Sequence, residues 1–176
     1  ANGSGKTSLL RILGWLARPV EGEIRWCCHY IHRLREEFCR NLVYLGHANG
    51  VKDDLLASEN IVVASALSGN PVSRNSAVQA LEQLGLGHVA GLPARALSQG
   101  QRKRVALARL QLGMATPLWI LDEPFAALDH IAVTELCGTL NDHLACGGMV
   151  IYTTHQEIDL VARRSLCIEL NQPTLC

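Results

Sequence analysis

The chain has 176 residues, of which 48% are hydrophobic and 18% charged, so its size and composition indicate one folded domain and exclude a disordered protein. Sixteen Lys and Arg residues balance sixteen Asp and Glu residues, which excludes the basic surface typical of proteins that bind nucleic acids. No apolar run approaches the roughly 20 residues that a membrane-spanning helix needs. We therefore expect no nucleic-acid partner, and any work at a membrane would be done from its aqueous side.

The spacing of apolar residues predicts alternating helices and strands. A first helix is predicted from Leu9 to Leu16, ended by Arg18 and Pro19, and a short strand is predicted over 22–26. Three short apolar runs are typical of buried parallel strands: 42–45, 118–121 and 149–153. Further helices are predicted near 58–67 and 75–84 and after an N-cap at Asp129, running to Leu144. We therefore predict one α/β domain over 1–176, with a parallel sheet and a helical insert over about residues 48–104.

The chain opens with the beginning of a phosphate-binding loop. Ala1-Asn2-Gly3-Ser4-Gly5-Lys6-Thr7 matches the pattern G-x-x-x-x-G-K-[ST] from its second position, and Ser8 follows in the helix. Glycines let successive N–H groups point at phosphate oxygens, and the helix N-terminus adds positive charge. Lys6 is predicted to reach the β- and γ-phosphates and the Thr7 hydroxyl to hold Mg²⁺. The alternative is an ordinary glycine-rich turn before an amphipathic helix.

The phosphate loop also predicts that a further strand precedes it in the natural protein. A phosphate loop is anchored by the strand that leads into it, and no residue before Ala1 is present to form that strand. We therefore expect an N-terminally truncated domain that lacks its leading strands.

The predicted strand 118–121 ends in two acids, Asp122 and Glu123. Burial of the strand places both acids at the carboxyl edge of the sheet, where α/β proteins bind ligands. Asp122 is suited to orient Mg²⁺, directly or through water, and Glu123 to polarise the water that attacks a γ-phosphate. The alternative is a solvated strand end without catalytic function.

A signature segment, Leu97-Ser98-Gln99-Gly100-Gln101, precedes this strand and opens a helix. Together with the phosphate loop, the acidic strand, Ala127-Leu128-Asp129 and His155, it resembles the ATP-binding domain of ABC transporters over nearly the whole chain. The resemblance implies a P-loop NTPase fold that binds ATP with Mg²⁺ and hydrolyses it. It also implies a head-to-tail homodimer in which ATP lies between one phosphate loop and the partner's Ser98, Gln99, Gly100 and Gln101. Asp129 then belongs to a loop that communicates across the dimer, and His155 contacts the γ-phosphate.

One position departs from the family pattern. His47 stands where the family has a glutamine that touches Mg²⁺ or water and couples to the membrane domain. With Gly46-His47, Trp119-Ile120-Leu121-Asp122-Glu123-Pro124-Phe125 and Thr153-Thr154-His155-Gln156, the chain resembles the branch of the family that serves cytochrome c maturation. That resemblance implies a peripheral subunit docked on integral membrane transporter subunits at the cytoplasmic face of the bacterial inner membrane. The role described for that branch is release of haem from its carrier chaperone.

Seven cysteines, an odd number with no C-x-x-C spacing, do not form the pattern of a disulfide framework or a zinc site. Cys27 and Cys28, followed by His29 and His32, are interpreted as part of a surface strand and loop, and we expect no direct haem binding.

Two other functions remain open, and a third is excluded. The chain fits an ABC ATPase that serves an exporter of another substrate, or a truncated fragment that does not hydrolyse ATP. A soluble ABC protein of DNA repair or translation would need a coiled-coil insertion or a second cassette, for which 176 residues leave no room.

Overall fold

The computed structural model describes residues 4–170 as helices and strands that alternate around a parallel sheet. The elements are α1 (Lys6–Leu13), β1 (Arg25–Trp26), β2 (His29–Tyr30), α2 (Arg35–Arg40), β3 (Leu42–Leu45), α3 (Ala57–Leu67), α4 (Arg74–Gln83), α5 (Gln99–Leu112), β4 (Leu118–Leu121), α6 (His130–Ala145) and β5 (Met149–Tyr152). Short 3₁₀ turns lie at Ile31–Arg33, Gly87–Val89 and Ala94–Ala96. The predicted α/β class and the parallel arrangement of the strands are confirmed.

The parallel sheet has the strand order β3-β4-β5, and its three strands end side by side at Leu45, Leu121 and Tyr152. Every residue of the central strand β4 is buried, as expected of a strand that is covered on both faces. Leu118 and Ile120 face a cluster that includes side chains of α1 and α2. The alternate residues of β4 face a second cluster, built with α5 and α6. The sheet is therefore the middle of three layers.

The helices between β3 and β4 have a hydrophobic cluster of their own. Ile61 of α3, Leu81 of α4 and Val105 of α5 are at most 1% exposed in it. The Asn60 side chain ties the preceding loop to α3, because it accepts from the Lys52 N–H at 2.6 Å and donates to the Lys52 carbonyl at 3.0 Å. Since α5 also contributes side chains to the core of the sheet, it joins the two clusters. The boundaries 48–104 of a helical subdomain stay a prediction.

The first helix begins and ends three residues earlier than the sequence predicts. α1 ends at Leu13 instead of continuing to Leu16, which is 55% exposed. Gly14 caps the helix, and Trp15 follows in the left-handed region with φ 58°. A side chain at position 14 would lie 2.9 Å from the Tyr44 ring, so the glycine lets α1 pack closely against β3 before the chain turns away.

Of the strand predicted over 22–26, only β1 is observed, at Arg25–Trp26. The sequence predicted neither its hairpin partner β2 nor the helix α2. Cys27 and Cys28 form the hairpin turn with φ 48° and 66°, the left-handed backbone that a two-residue turn needs. Both are exposed, as are His29 and His32, in agreement with the predicted surface strand and loop. The six cysteines between residues 4 and 170 are free thiols.

Candidate functional site

The carboxyl edge of the parallel sheet brings the predicted acidic and histidine residues together. Because Leu45, Leu121 and Tyr152 are in register, the residues after each strand leave the sheet at one place. His47 follows β3, Asp122 follows β4 and His155 follows β5. Of these, His47 is exposed to solvent.

Asp122 is held in the interior at this edge. It is 1% exposed, and its N–H donates to the carbonyl of Leu45 at 2.8 Å. Its Oδ1 accepts a hydrogen bond from the Thr153 hydroxyl at 2.8 Å, whereas Oδ2 has no hydrogen-bond partner within residues 4–170. The Thr153 oxygen also accepts from the N–H of Glu123 at 3.0 Å, so one hydroxyl positions both acids. From the sequence, Thr153 was only the last residue of a predicted strand and part of a motif, and no role was predicted for its hydroxyl.

Lys6, Glu123 and His155 form a charged cluster at the mouth of the site. The Lys6 Nζ lies 3.8 Å from the Glu123 Oε1 and 3.3 Å from the His155 Nε2, and that nitrogen lies 3.2 Å from the same carboxylate oxygen. The Glu123 side chain is 16% exposed, against 50% for His155. Through the charged cluster, the residue that follows the phosphate-loop glycine Gly5 contacts the acid Glu123 beyond the end of β4.

The described part of the phosphate loop leads directly into α1. Gly5 adopts φ 86°, and no side chain caps the helix that begins at Lys6. The first N–H groups of α1 therefore remain as donors for an anion. Ser4 is half-buried, whereas Thr7 and Ser8 are exposed. Asn2 and Gly3 lie outside the described residues.

The signature segment forms a second surface. Ser98 caps α5: its Oγ accepts from the Gln101 N–H at 3.2 Å, and its own N–H donates to the Gln101 side chain at 2.9 Å. Ser98, Gly100 and Gln101 line a crevice with Asp129, and Gln99 is exposed beside them. No residue of the phosphate loop from Ser4 onward lines this crevice. The two predicted ATP-contacting segments therefore form separate surfaces in one copy.

Asp129 has two structural roles at that crevice. Its Oδ1 accepts from the N–H of Ala132 at 2.8 Å and so caps α6, as the sequence predicts. Its Oδ2 lies 2.7 Å from the Arg104 guanidinium of α5. The ion pair connects the segment after the acidic strand to the signature helix.

Lys103 is a second residue that the sequence analysis missed. It lies on α5, is 6% exposed, and donates from its Nζ to the carbonyl of Glu123 at 3.0 Å. Burial lowers the pKa of Lys103, and the carboxylates of Asp122 and Glu123 oppose that shift. In the sequence Lys103 lies between Arg102 and Arg104, so no local pattern distinguishes it from the basic residues on either side.

Comparison with known proteins agrees with this geometry. The family described as ABC transporter matches residues 1–126. The cytochrome c biogenesis ATP-binding export protein CcmA of Aromatoleum aromaticum is 56% identical over 156 residues, which cover 89% of this chain and 73% of that protein. The protein of the same name from Nitrosospira multiformis is 54% identical over 159 residues, which cover 90% of this chain and 77% of that protein.

A solved ATP-binding cassette, in a dimeric post-hydrolysis state bound to ADP and Pi, is 26% identical with a TM-score of 0.77; the match covers 89% of this chain and 72% of that chain. None of the helices between residues 4 and 170 has the length and hydrophobicity to cross a bilayer. From the family match, the relatives and the arrangement of the motifs, we conclude that this chain belongs to the ABC transporter family, in the group of cytochrome c biogenesis ATP-binding export proteins.

Proposed function

We propose that this chain hydrolyses ATP as the nucleotide-binding subunit of an ABC transporter for cytochrome c biogenesis. The observation that carries the proposal is the charged cluster, which places an ammonium, a carboxylate and an imidazole within 3.8 Å of one another. It lies at the sheet edge where α/β proteins bind their ligands. The transport process is inferred from the names of the relatives.

The start of α1 is the proposed phosphate site. Backbone N–H groups that no side chain caps attract an anion, and the Lys6 ammonium adds a full positive charge beside them. This ammonium contacts Glu123 and His155. A γ-phosphate would take over that contact and leave the carboxylate free to act on water. The remaining proposed phosphate contacts are Asn2, Gly3, Ser4, Gly5, Thr7 and Ser8.

The residues at the sheet edge fit a magnesium ion. The buried Oδ2 of Asp122 has no hydrogen-bond partner in the described chain, which is costly for a carboxylate unless another ligand compensates it. Mg²⁺ prefers oxygen ligands and is usually held by one or two protein groups together with substrate phosphates. Thr7 and Asp122 are the proposed protein groups, Asp122 partly through water. The bound ion supplies charge neutralisation at the phosphates.

Glu123 is the proposed general base. Its carboxylate is largely removed from solvent and lies 3.2 Å from the His155 Nε2. It would accept a proton from the water that attacks the γ-phosphate, while His155 donates a hydrogen bond to that phosphate. Lys6 would stabilise the negative charge that the reaction redistributes. His47, exposed at the same edge, is proposed to hydrogen-bond near the γ-phosphate in place of the family's glutamine.

The complete site is proposed to need two copies. Ser98 and Gly100 line a crevice that contains no residue of the described phosphate loop, so these donors are free to close on a nucleotide bound by another copy. The matched cassette was solved as a dimer, which supports this arrangement. A twofold axis would form two equal sites, with Gln99, Gln101 and Asp129 at each interface. ATP would hold both copies together, and ADP would release the signature side.

The test is the Glu123→Gln variant, with Glu135→Gln as a matched control, because Glu135 is exposed on α6. We expect Glu123→Gln to bind ATP and to accumulate as an ATP-bound dimer, while its turnover falls at least about a hundredfold, as for loss of a general base. Lys6→Ala should instead lose affinity for ATP. Turnover at the parent rate in Glu123→Gln would mean that another residue is the base.

The membrane part of the proposal is tested in cells. The chain would sit at the cytoplasmic face of the inner membrane, bound to integral membrane subunits. A strain lacking the natural gene should lose mature c-type cytochromes, and the parent gene should restore them where Glu123→Gln does not. If the deletion strain still produced mature c-type cytochromes, the protein would belong to another transporter.

A further inference from the structure

We infer that Lys103 is a positioning residue that holds the main chain of Glu123 and joins this base to the signature helix of the same copy. The inference rests on the proposed function, because it concerns how the proposed base is held. It goes beyond that function by adding a residue that touches neither phosphate nor water.

Hydrogen bonds hold both the N–H and the carbonyl of Glu123. Its N–H donates to the Thr153 hydroxyl at 3.0 Å, and its carbonyl accepts from the Lys103 Nζ at 3.0 Å and from the Ala126 N–H at 3.2 Å. These bonds hold Glu123 at φ 50°, a conformation that residues other than glycine rarely adopt. Such a conformation persists when its surroundings determine it, and at functional sites it aims a side chain. Here it aims the Glu123 carboxylate at Lys6 and His155.

The burial of Lys103 argues for a polar task. The residue is 6% exposed, and an ammonium in that position loses its hydration. An unbranched apolar side chain such as methionine would fill the same space without that cost. The ammonium instead donates to a single carbonyl next to two carboxylates, those of Asp122 and Glu123.

The place of Lys103 on α5 gives the contact a second consequence. Ser98 caps the same helix, and the rise of an α-helix puts the two residues about 7.5 Å apart along the axis. Since a helix moves as a rigid element, a shift of the Ser98 end toward a nucleotide on another copy would move the Lys103 ammonium as well. The base of one site would therefore respond to closure of the other site.

The test compares Lys103→Met with Lys52→Met in the intact protein, since Lys52 is an exposed lysine outside the site. For Lys103→Met we expect kcat for ATP hydrolysis to fall at least about tenfold, because displacement of a catalytic group by about 1 Å is that costly. The Kd for ATP should stay within about twofold, because the Lys103 ammonium bonds to the Glu123 carbonyl and not to a proposed phosphate-binding residue. Lys103→Arg, which keeps a charged donor, should recover most of the lost kcat. Lys52→Met should match the parent.

Three outcomes would overturn the inference: kcat of folded Lys103→Met within about twofold of the parent, a weaker Kd for ATP that accounts for the loss, or no recovery in Lys103→Arg. If Lys103→Met does not fold, Lys103→Leu also removes the donor and gives the same comparison. Failure of the proposed function is distinguishable, because in that case Glu123→Gln also hydrolyses ATP at the parent rate.

Discussion

Replacement of Thr153 by valine tests how the acidic edge is held together. The hydroxyl of Thr153 donates to the Asp122 carboxylate at 2.8 Å and accepts from the Glu123 N–H at 3.0 Å, in a residue that is 9% exposed. Valine keeps the shape of the side chain and removes both hydrogen bonds. The buried carboxylate of Asp122 would then have neither oxygen paired by a side chain, and the partly buried N–H of Glu123 would lose its acceptor.

The magnitude follows from those two bonds. A hydrogen bond to a charged group contributes about 1.5–3 kcal/mol, and a buried N–H without an acceptor costs about 1 kcal/mol or more. The extra methyl group of valine returns part of this through apolar burial, roughly 1 kcal/mol. We therefore expect Thr153→Val to lower the free energy of unfolding by about 2–3 kcal/mol.

The assay is urea unfolding at pH 7 without nucleotide, followed by circular dichroism. Thr134→Val is the matched control, because the Thr134 hydroxyl is exposed and bonds only to the His130 carbonyl of its own helix at 3.0 Å. The control should change the free energy of unfolding by less than about 0.5 kcal/mol. An equally small change for Thr153→Val would show that the hydroxyl does not hold the two acids and would refute the reasoning.

Two further predictions concern the buried His143, whose ring stacks on Trp119 at 3.8 Å between centroids. Gly148→Ala should lower the free energy of unfolding, measured in urea, by about 2–3 kcal/mol, because the new Cβ would overlap the His143 imidazole. The control Gly138→Ala lies in open space on α6 and should raise that free energy by about 0.5–1 kcal/mol. Equal effects of the two substitutions would contradict the prediction. Because burial lowers the pKa of His143, the unfolded chain binds the proton more readily, so stability is full above pH of about 6.5 and falls as the pH decreases toward the folded pKa. The free energy of unfolding of the parent should therefore fall relative to that of His143→Phe from pH 7 to pH 5, and a constant difference would contradict the mechanism.

The sequence was sufficient to predict features that depend on a local pattern of residues or on the positions where parallel strands end. The apolar runs predicted β3, β4 and β5 within one residue of their observed bounds, and strands of that kind end at one edge of a sheet. The acids after β4 and the histidine after β5 therefore had to lie close together. The apolar spacing likewise predicted a helix after the phosphate loop, although α1 begins at Lys6 instead of Leu9 and ends at Leu13 instead of Leu16.

The roles of Thr153 and Lys103 were revealed only by the tertiary structure. A threonine after a strand and a lysine within a helix carry no local pattern that names their partners, which lie 31 residues away for the Thr153 hydroxyl and 20 residues away for the Lys103 ammonium. Their contacts depend on how β5 and α5 pack against the end of β4. The early end of α1 has a similar cause, because the Tyr44 ring beside Gly14 comes from another element.

What the sequence by itself determined is therefore the family, the parallel core and the residues that meet at the strand ends. These follow from short-range periodicity and motif spacing, which act along the chain. Only the tertiary structure decided which groups hold those residues in place, because hydrogen bonds of buried side chains are chosen by packing between distant elements. The same packing separates the crevice lined by Ser98 and Gly100 from the described part of the phosphate loop.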